Sequence, residues 1–307
     1  MAKRLSVIVI SITPFDDKGR IDEAALRQHY RRLRDAGVSV YAASSGSSES
    51  YALTAEENEH VLKIAVEELK GKVPIKAMGF EPRLPSEMVA FLRSAERAKV
   101  DGAQICSIEI GHGTHPTVQE MENYYSTAIE STSLPVYLSS HRAAGYFLPV
   151  DLIERLVKRY PNVAGVAYGG PDIPMLAEII RRVGDRVEVH CAGPSNALAV
   201  LGLGGNGFMG GEGNFMPSLV ASVIKAWETK DLEGLRESYG KLMGLAAIHN
   251  RYGAGSMRAM KPLLNAFGLP GGSMRPPRLP ISPAELDEVV KAVLALKIPG
   301  TPPLAKK

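Results

Sequence analysis

A histidine and a glutamate that follow two consecutive apolar segments are the first candidates for chemistry. Glu109 comes after the segment 102–107, and His141 comes after the segment 135–140. If these segments are neighbouring strands of a parallel sheet, their carboxyl ends meet at one edge. A neutral imidazole beside a carboxylate is a workable acid/base pair near pH 7. We expect both residues, with Tyr168 at the end of a later segment, to move protons or orient a substrate, or else to hydrogen-bond a loop or a subunit contact.

Small hydrogen-bond donors follow another apolar segment and are candidates for substrate binding. Gly46, Ser47 and Ser48 follow the segment 38–44, with Ser45 in between. Backbone amides and hydroxyls at the end of a strand can bind an anion. Ser139 and Arg142, on either side of the candidate histidine, are further candidates for contact with a substrate.

A pair of histidines raises the question of a metal. His112 and His115 lie in a glycine-containing loop, with Glu109 before them and His141 on the next predicted strand. Imidazole and carboxylate groups are common metal ligands. The H-x-x-H spacing is nevertheless common, and on a loop it favours surface or interface histidines. We therefore expect no metal and no cofactor.

Lys76 interrupts the otherwise apolar segment 74–79. A lysine within a strand that is buried on both faces needs a partner or a function. Gln104, on the next predicted strand, is a possible neighbour. Two interpretations stay open: Lys76 faces the helices and pairs structurally, or its amine is a nucleophile in the pocket.

Eight short apolar segments alternate with longer amphipathic ones, which predicts repeated βα units and a parallel sheet. The eight segments are 7–12, 38–44, 74–79, 102–107, 135–140, 163–168, 187–192 and 207–210. Helix start signals stand at Asp22, Thr54, Ser86 and Ser282. Eight units predict an α/β protein with a closed (β/α)8 TIM barrel over residues 1–227.

The strand signals stop after Trp227. The pattern predicts helices over 232–249 and 256–267, and a last helix from Ser282. Residues 228–307 are therefore expected to form a C-terminal helical segment that packs on the barrel.

The composition narrows the possible partners. The net charge is +3, and acidic and basic residues are mixed along the chain, which argues against nucleic acid or a membrane surface as a partner. Cys106 and Cys191 lie in apolar segments and are expected to be buried free thiols. Without a signal-peptide or membrane-span pattern, the default expectation is a cytoplasmic protein.

Several stretches in a fixed order carry a family pattern. They are Thr13-Pro14-Phe15-Asp16, the segment 36–54, Asn162-Val163-Ala164-Gly165-Val166, the segment 204–217, and the closing run of Lys261, 268–272 and 275–277. Together they resemble the dihydrodipicolinate synthase / N-acetylneuraminate lyase family of class I aldolases. The resemblance covers nearly the whole chain and implies the barrel fold and a homo-tetramer.

The departures from that family lie in its active site. Where the family has a Schiff-base lysine, this chain has Ala167, and an alanine cannot attack a carbonyl. The family's tyrosine on strand five falls on Ser139, and its tyrosine pair after strand four falls on Glu109 and Ile110. These coordinated replacements indicate a changed active site.

Two binding elements are retained by resemblance. The family's carboxylate-binding turn falls on residues 46–48, where Gly46, Ser47 and Ser48 remain small donors. A local shift of the alignment would bring Arg142 to the position of the family's arginine. The resemblance therefore implies that these residues bind the carboxylate of a substrate.

We expect a divergent lyase-family enzyme, of aldolase or dehydratase type. Its substrate would be a small carboxylate, keto-acid-like, and its catalysis would use acid/base groups without a lysine imine. One alternative is a non-catalytic barrel that binds a small molecule. The other is a class I aldolase whose reactive lysine has moved to Lys76.

Overall fold

The structure is a computed structural model that describes residues 5–253 and 257–305, apart from the side chain of Arg142. Eight strands pair in chain order and form a closed barrel. They are β1 (Ser6–Ile10), β2 (Ser39–Ser44), β3 (Ile75–Gly79), β4 (Gly102–Ile105), β5 (Val136–Ser140), β6 (Val163–Tyr168), β7 (Glu188–Ala192) and β8 (Gly207–Gly210). Each predicted apolar segment overlaps one strand, so the predicted (β/α)8 TIM barrel is confirmed.

Helices follow the strands and continue after the last one. They are α1 (Glu23–Asp35), α2 (Ala55–Leu69), α3 (Pro85–Ala98), α4 (Val118–Glu130), α5 (Val150–Arg159), α6 (Ile173–Val183), α7 (Ala197–Gly202), α8 (Pro217–Glu228), α9 (Leu232–Asn250), α10 (Met257–Ala266) and α11 (Pro283–Ala295). The predicted start of α10, at residue 256, lies outside the described residues. None of the helices that the structure describes is both long and apolar enough to cross a membrane.

Three of the four predicted helix starts carry the expected caps. The side chains of Asp22, Thr54 and Ser282 each accept a hydrogen bond from a backbone amide in the first turn of the following helix. The prediction that Ser86 caps a helix is wrong, because α3 already begins at Pro85. Proline suits the first helical position, since the amide hydrogen that it lacks would have no partner within the helix.

The chain divides into two compact units. The middle unit is built on Ile75–Met209 and contains β3 to β7. The terminal unit comprises Ser6–Pro74 together with the chain from Gly210 onward. This division differs from the predicted limits of 1–227 and 228–307, which stay a proposal based on where the strands end.

A buried ion pair supports the serine turn within the terminal unit. The ammonium group of Lys261 contacts the carboxylate of Glu49 and donates to the Ser273 carbonyl at 2.9 Å, and the Lys261 side chain is fully buried. Its Nζ lies 4.4 Å from the ring centroid of Phe15, and Arg275 lies on the same ring at 4.5 Å. Burial lowers the pKa of Lys261 to about 8, while the Glu49 carboxylate opposes this shift. The pair therefore holds α10 to the segment that follows β2.

We expect Lys261→Met to lower the free energy of unfolding by about 3 to 5 kcal/mol, because it leaves the buried Glu49 carboxylate without its counter-charge. Chemical denaturation measures this loss. The double variant Glu49→Gln, Lys261→Met serves as the control and should lose less stability than Lys261→Met alone, since it removes both buried charges. Equal losses in the two variants would contradict the importance of the ion pair.

Candidate active site

Two glycines on neighbouring strands make room for a tyrosine ring within the middle unit. A Cβ atom on Gly102 would lie 3.0 Å from Cε2 of Tyr137, and one on Gly165 would lie close enough to the same ring to clash. The ring therefore covers both glycines, and all three residues lie on one face of β4 to β6. The Nζ atom of Lys76 lies 3.6 Å from the centroid of this ring and 3.0 Å from the Glu188 carboxylate. We call Lys76, Gly102, Tyr137, Gly165 and Glu188 the Lys76 layer.

This arrangement answers the question that the sequence left open about Lys76. The lysine is not directed at the helices; it shares a strand face with Tyr137, and it forms an ion pair with Glu188. The Glu188 side chain is 35% exposed and lies at the first residue of β7, at the amino end of the strand. In (β/α)8 barrels this end serves stability, and the chemistry lies at the carboxyl end. An ammonium group paired with a carboxylate also has no electron pair for attack on a carbonyl.

Two residues further along β4, β5, β6 and β7 lies a second layer of side chains on the same face. Because side chains alternate along a strand, Gln104, Ser139, Ala167 and His190 face the same way as the Lys76 layer. Ala167 is the Cα partner of Ser139 on β5 and of His190 on β7. We call these four residues the Ala167 layer. It stands where the resemblance implies a reactive lysine.

His141 lies just above this layer, toward the carboxyl end of the strands. Its ring packs over the backbone of Gly169, so closely that a Cβ atom there would overlap the imidazole. The Nδ1 atom accepts a hydrogen bond from the Ala143 amide at 3.0 Å. This bond assigns the proton of the neutral ring to Nε2. His141 is exposed on its outer side, but the protein atoms packed around its ring displace water and lower its pKa, and the negative charge of Glu81 opposes the shift.

Glu81 is the carboxylate that sequence reasoning missed. It lies in the segment after β3, and its charge acts on Cys106 after β4, on His141 after β5 and on Tyr124 in α4. The predicted partner, Glu109, is exposed instead and lines a surface cavity of about 430 Å³ with Arg83, Ile110, Gly111 and His112. The signal for Glu81 was its place directly after the predicted strand 74–79, the same rule that pointed to Glu109.

Tyr168 faces away from the Ala167 layer, because it is the next residue along β6. The side chain is fully buried against Phe147, with ring centroids 5.7 Å apart. Its hydroxyl donates to the Asp172 carbonyl at 3.1 Å, and burial raises its pKa. We therefore leave Tyr168 out of the proposed mechanism.

The predicted anion-binding turn is largely occupied by its own hydrogen bonds. The Ser48 amide donates to Ser44 Oγ at 3.1 Å, and the Ser48 hydroxyl donates to the Ser11 carbonyl at 2.6 Å. Ser47 is buried and Gly46 is exposed. Ser48 therefore supports the turn, and the amides of Gly46 and Ser47 are the donors on which the prediction now depends. The side chain of Arg142 lies outside the described part of the structure.

The alternative of a metal site finds no support in the described residues, which contain no cluster of three or more His, Cys, Asp or Glu side chains suited to a metal. His115 packs on the ring of Tyr146 at a centroid distance of 5.8 Å. His112 lines the surface cavity beside Glu109. The two histidines thus have different surroundings.

Three buried tyrosines, also missed from the sequence, hold the carboxyl ends of β4 and β5 in place. Tyr124 donates to the Cys106 carbonyl at 2.6 Å, Tyr125 to the Ser139 carbonyl at 3.1 Å, and Tyr146 to the Ile108 carbonyl at 2.9 Å. Buried backbone carbonyls need such donors. These bonds fix the backbone that presents Ser139 and His141.

A (β/α)8 barrel with polar groups at the carboxyl ends of its strands defines a broad class of enzymes. Within this class, the profile of the Dihydrodipicolinate synthetase family matches residues 3–296. The chain belongs to this family. The predicted type of protein, a lyase-family barrel for small keto-acid-like substrates, is thereby confirmed.

Individual relatives agree with this assignment. A probable 5-dehydro-4-deoxyglucarate dehydratase of Bradyrhizobium sp. (strain ORS 278) is 27% identical over 295 residues, 94% of this chain and 90% of that protein. A 4-hydroxy-tetrahydrodipicolinate synthase of Methanopyrus kandleri is 28% identical over 284 residues, 92% of this chain and 91% of that protein.

Solved structures share the fold. A dihydrodipicolinate synthase of Bacillus anthracis superposes with a TM-score of 0.87 at 23% identity, covering 97% of this chain and 100% of the other. YagE of E. coli K12, solved in complex with pyruvate, superposes with a TM-score of 0.87 at 21% identity, covering 95% of this chain and 98% of the other.

We expect Gly169→Ala to displace the His141 ring from its position over residue 169, because the added methyl group would overlap the imidazole. The pKa of His141 should then rise toward its ordinary value as the ring becomes hydrated. NMR titration of the imidazole measures this shift. Gly240→Ala is the matched control, since a Cβ atom there meets no other group within 4 Å. A His141 titration that is the same in both variants would contradict the packing on Gly169.

Proposed function

We propose that this chain is a lyase that removes a proton from the carbon beside the carbonyl of a small keto acid. Glu81 acts as the general base, and His141 donates a hydrogen bond from Nε2 to the carbonyl oxygen. The observation that carries this proposal is the bond from the Ala143 amide to Nδ1 of His141. It commits the neutral ring to donation through Nε2, and the charge of Glu81 acts on this same ring.

The neutral form of His141 is the useful one for this role. Desolvation of the ring by its neighbours lowers the pKa of His141, and protonation at Nδ1 would also break the bond from Ala143. A neutral imidazole can polarise a carbonyl as a hydrogen-bond donor. In this proposal Glu81 is the base and His141 is the hydrogen-bond donor. The pair expected from the sequence was different, since there His141 exchanged protons beside Glu109.

The reaction can be written with each proton accounted for. Glu81 takes the proton from the carbon beside the carbonyl, and the electrons of the broken C–H bond form an enolate whose oxygen accepts from His141. When the next carbon carries a hydroxyl, the electrons move back to form a carbon–carbon double bond. The hydroxyl leaves with the proton held by Glu81, so that one water is lost. This is a dehydration without an imine.

The relatives support the choice of substrate class. One is named as a probable dehydratase of 5-dehydro-4-deoxyglucarate, and another protein of this fold was solved with pyruvate. We therefore propose a keto acid with a hydroxyl two carbons from the carbonyl. Pyruvate is the minimal compound with an exchangeable proton beside the carbonyl.

Other predictions remain as proposals. Gly46, Ser47 and Arg142 are proposed to bind the carboxylate, on the resemblance alone. A homo-tetramer is proposed on the same basis. A cytoplasmic location also stays a proposal, with which the buried free thiols Cys106 and Cys191 are compatible, because such thiols suit a reducing compartment.

The exchange of pyruvate methyl protons in D₂O tests the base directly, without the natural substrate. We expect the wild-type protein to catalyse this exchange, followed by proton NMR, because an enolate forms reversibly. His141→Ala and Glu81→Gln should each slow it by about 100-fold or more, since each removes one of the two groups that act on the carbonyl.

Glu109→Gln is the control for this experiment and should exchange at the wild-type rate. If Glu109→Gln is slow and Glu81→Gln is not, the base is the residue first predicted from the sequence. If the wild-type protein gives no exchange above buffer, and neither pyruvate nor the dehydratase substrate is turned over, the non-catalytic binding barrel is the better description.

Treatment with pyruvate and borohydride should leave the chain without a covalent adduct, because imine formation needs a neutral, positioned amine. Ala167 has none, and Lys76 is paired with Glu188. Mass spectrometry of the reduced protein measures this. A stoichiometric adduct that disappears in Lys76→Met would instead establish the class I aldolase with a relocated lysine.

A further inference from the structure

The base and the donor of the proposed reaction belong to different loops, and a third loop lies between them. Glu81 belongs to residues 80–84, which follow β3, and His141 is the first of residues 141–149, which follow β5. We call these segments the β3 loop and the β5 loop. Residues 106–117, between β4 and α4, form the β4 loop. Because β4 pairs with both β3 and β5, the β4 loop begins between the other two.

The β4 loop is bound to the β3 loop through the backbone. The Glu109 amide donates to the Pro82 carbonyl at 2.8 Å. Pro82 is the residue next to Glu81, so this bond fixes the main chain that carries the base. The bond uses only the main chain of Glu109 and is therefore kept in Glu109→Gln.

A histidine side chain of the β4 loop packs on the β5 loop. A Cβ atom on Gly145 would lie 3.1 Å from Nε2 and 3.7 Å from Cδ2 of His115, so the imidazole lies against the bare backbone of the glycine. The φ of Gly145 is +85°, a conformation that favours glycine. The same ring packs on Tyr146, whose hydroxyl donates to the Ile108 carbonyl of the β4 loop. Two consecutive residues of the β5 loop are thus held by the β4 loop.

This contact lies next to the turn that orients His141. The turn Arg142–Ala144 connects His141 to Gly145, and its Ala143 amide donates to Nδ1 of His141 at 3.0 Å. A displacement of Gly145 would move this amide, because only Ala144 separates the two residues. The tautomer of His141 therefore depends on where Gly145 is held.

The other attachments of these loops are fixed as well. The Leu148 amide donates to Ser140 Oγ at 3.0 Å, which closes the β5 loop at its base. Before His115, the Thr114 amide and hydroxyl both donate to the Gly111 carbonyl, at 3.1 and 2.7 Å. The main chain that presents the His115 ring is thus part of a closed turn, although the side chain is exposed on its outer side.

We propose that His115 is a positioning residue for the reaction at His141. Its ring holds the β5 loop in place, so that the Ala143 amide stays on Nδ1 of His141 and Nε2 remains the donor. The β4 loop thereby fixes the donor relative to Glu81, because it is bound to both of the other loops. The proposal rests on the proposed function and adds to it a residue that acts without touching the substrate.

The tautomer of His141 tests this role without a substrate. Nitrogen-15 NMR distinguishes the two neutral tautomers, because a protonated and an unprotonated ring nitrogen have different chemical shifts, and the spectrum of His141→Ala identifies the signals. We expect the wild-type imidazole to carry its proton on Nε2. In His115→Ala both tautomers should be populated, since the Ala143 amide is no longer held on Nδ1.

The kinetics of pyruvate proton exchange give a second measurement. His115→Ala should lower kcat by about 10- to 100-fold, because a displaced donor no longer meets the carbonyl oxygen. KM should stay within about twofold, since the His115 ring does not contact the substrate. His115→Phe keeps an aromatic ring on Gly145 and Tyr146 and should restore both the single tautomer and most of the rate.

His112→Asn is the matched control on the same loop. His112 is an exposed histidine that lines the surface cavity beside Glu109, and its φ of +51° is tolerated by asparagine. This variant should leave the tautomer of His141 and the exchange rate unchanged. Thermal unfolding of each variant separates loss of positioning from loss of the fold.

The outcomes distinguish this proposal from the function on which it rests. A wild-type tautomer and a wild-type rate in His115→Ala would overturn the positioning role and leave the proposed function intact. A slow His115→Ala variant with a wild-type tautomer, not rescued by His115→Phe, would also overturn it, because His115 would then act on the substrate itself. A changed tautomer in His115→Ala, with no exchange by the wild-type protein, would support the hold on His141 and overturn the proposed function.

Discussion

The ion pair between Lys76 and Glu188 is the interaction on which the face of β3 to β7 depends. A charge that leaves water within a barrel must be neutralised nearby, because the low-dielectric surroundings penalise an isolated ion. The 3.0 Å contact and the Tyr137 ring below the ammonium satisfy this requirement. The ring in turn requires the bare backbones of Gly102 and Gly165. In the layer above it, burial and, second to it, the same lysine charge lower the pKa of His190.

The requirement that a buried charge be neutralised distinguishes the two ends of these strands, one of which contributes to stability and the other to chemistry. At the amino end, the charge of Lys76 is paired with that of Glu188 within the protein. At the carboxyl end, the His141 imidazole is bound by one nitrogen and keeps the other for use. Glu81 follows β3 with a charge that acts on this ring. This arrangement agrees with the general rule for (β/α)8 barrels, in which residues at the amino ends of the strands contribute to stability and residues at the carboxyl ends carry the chemistry.

The loss of a lysine need not mean the loss of catalysis in such a barrel. An imine activates the carbon beside a carbonyl by drawing electrons into a protonated nitrogen. A hydrogen bond to the carbonyl oxygen draws electrons in the same direction, with a smaller effect and no covalent step. A chain with Ala167 can therefore retain proton abstraction and elimination if a base and a donor are held over the same carbonyl. The chain keeps the family fold with a different set of polar residues, which is compatible with activation of the carbonyl by a hydrogen bond in place of an imine.

The sequence by itself determined the barrel, because the order of apolar segments, helix caps and family motifs is a local and additive signal. It also identified His141 and Lys76 as residues that needed an explanation. It did not determine partners: Lys76 pairs with Glu188, 112 positions away, and the carboxylate whose charge acts on His141 is Glu81, not the predicted Glu109. Those pairings depend on the strand face from which a side chain projects and on the conformation of the loop that follows each strand. Neighbouring residues of a strand face opposite sides of the sheet, as Ala167 and Tyr168 do. The side that a given residue faces is therefore specified only by the register of the folded sheet.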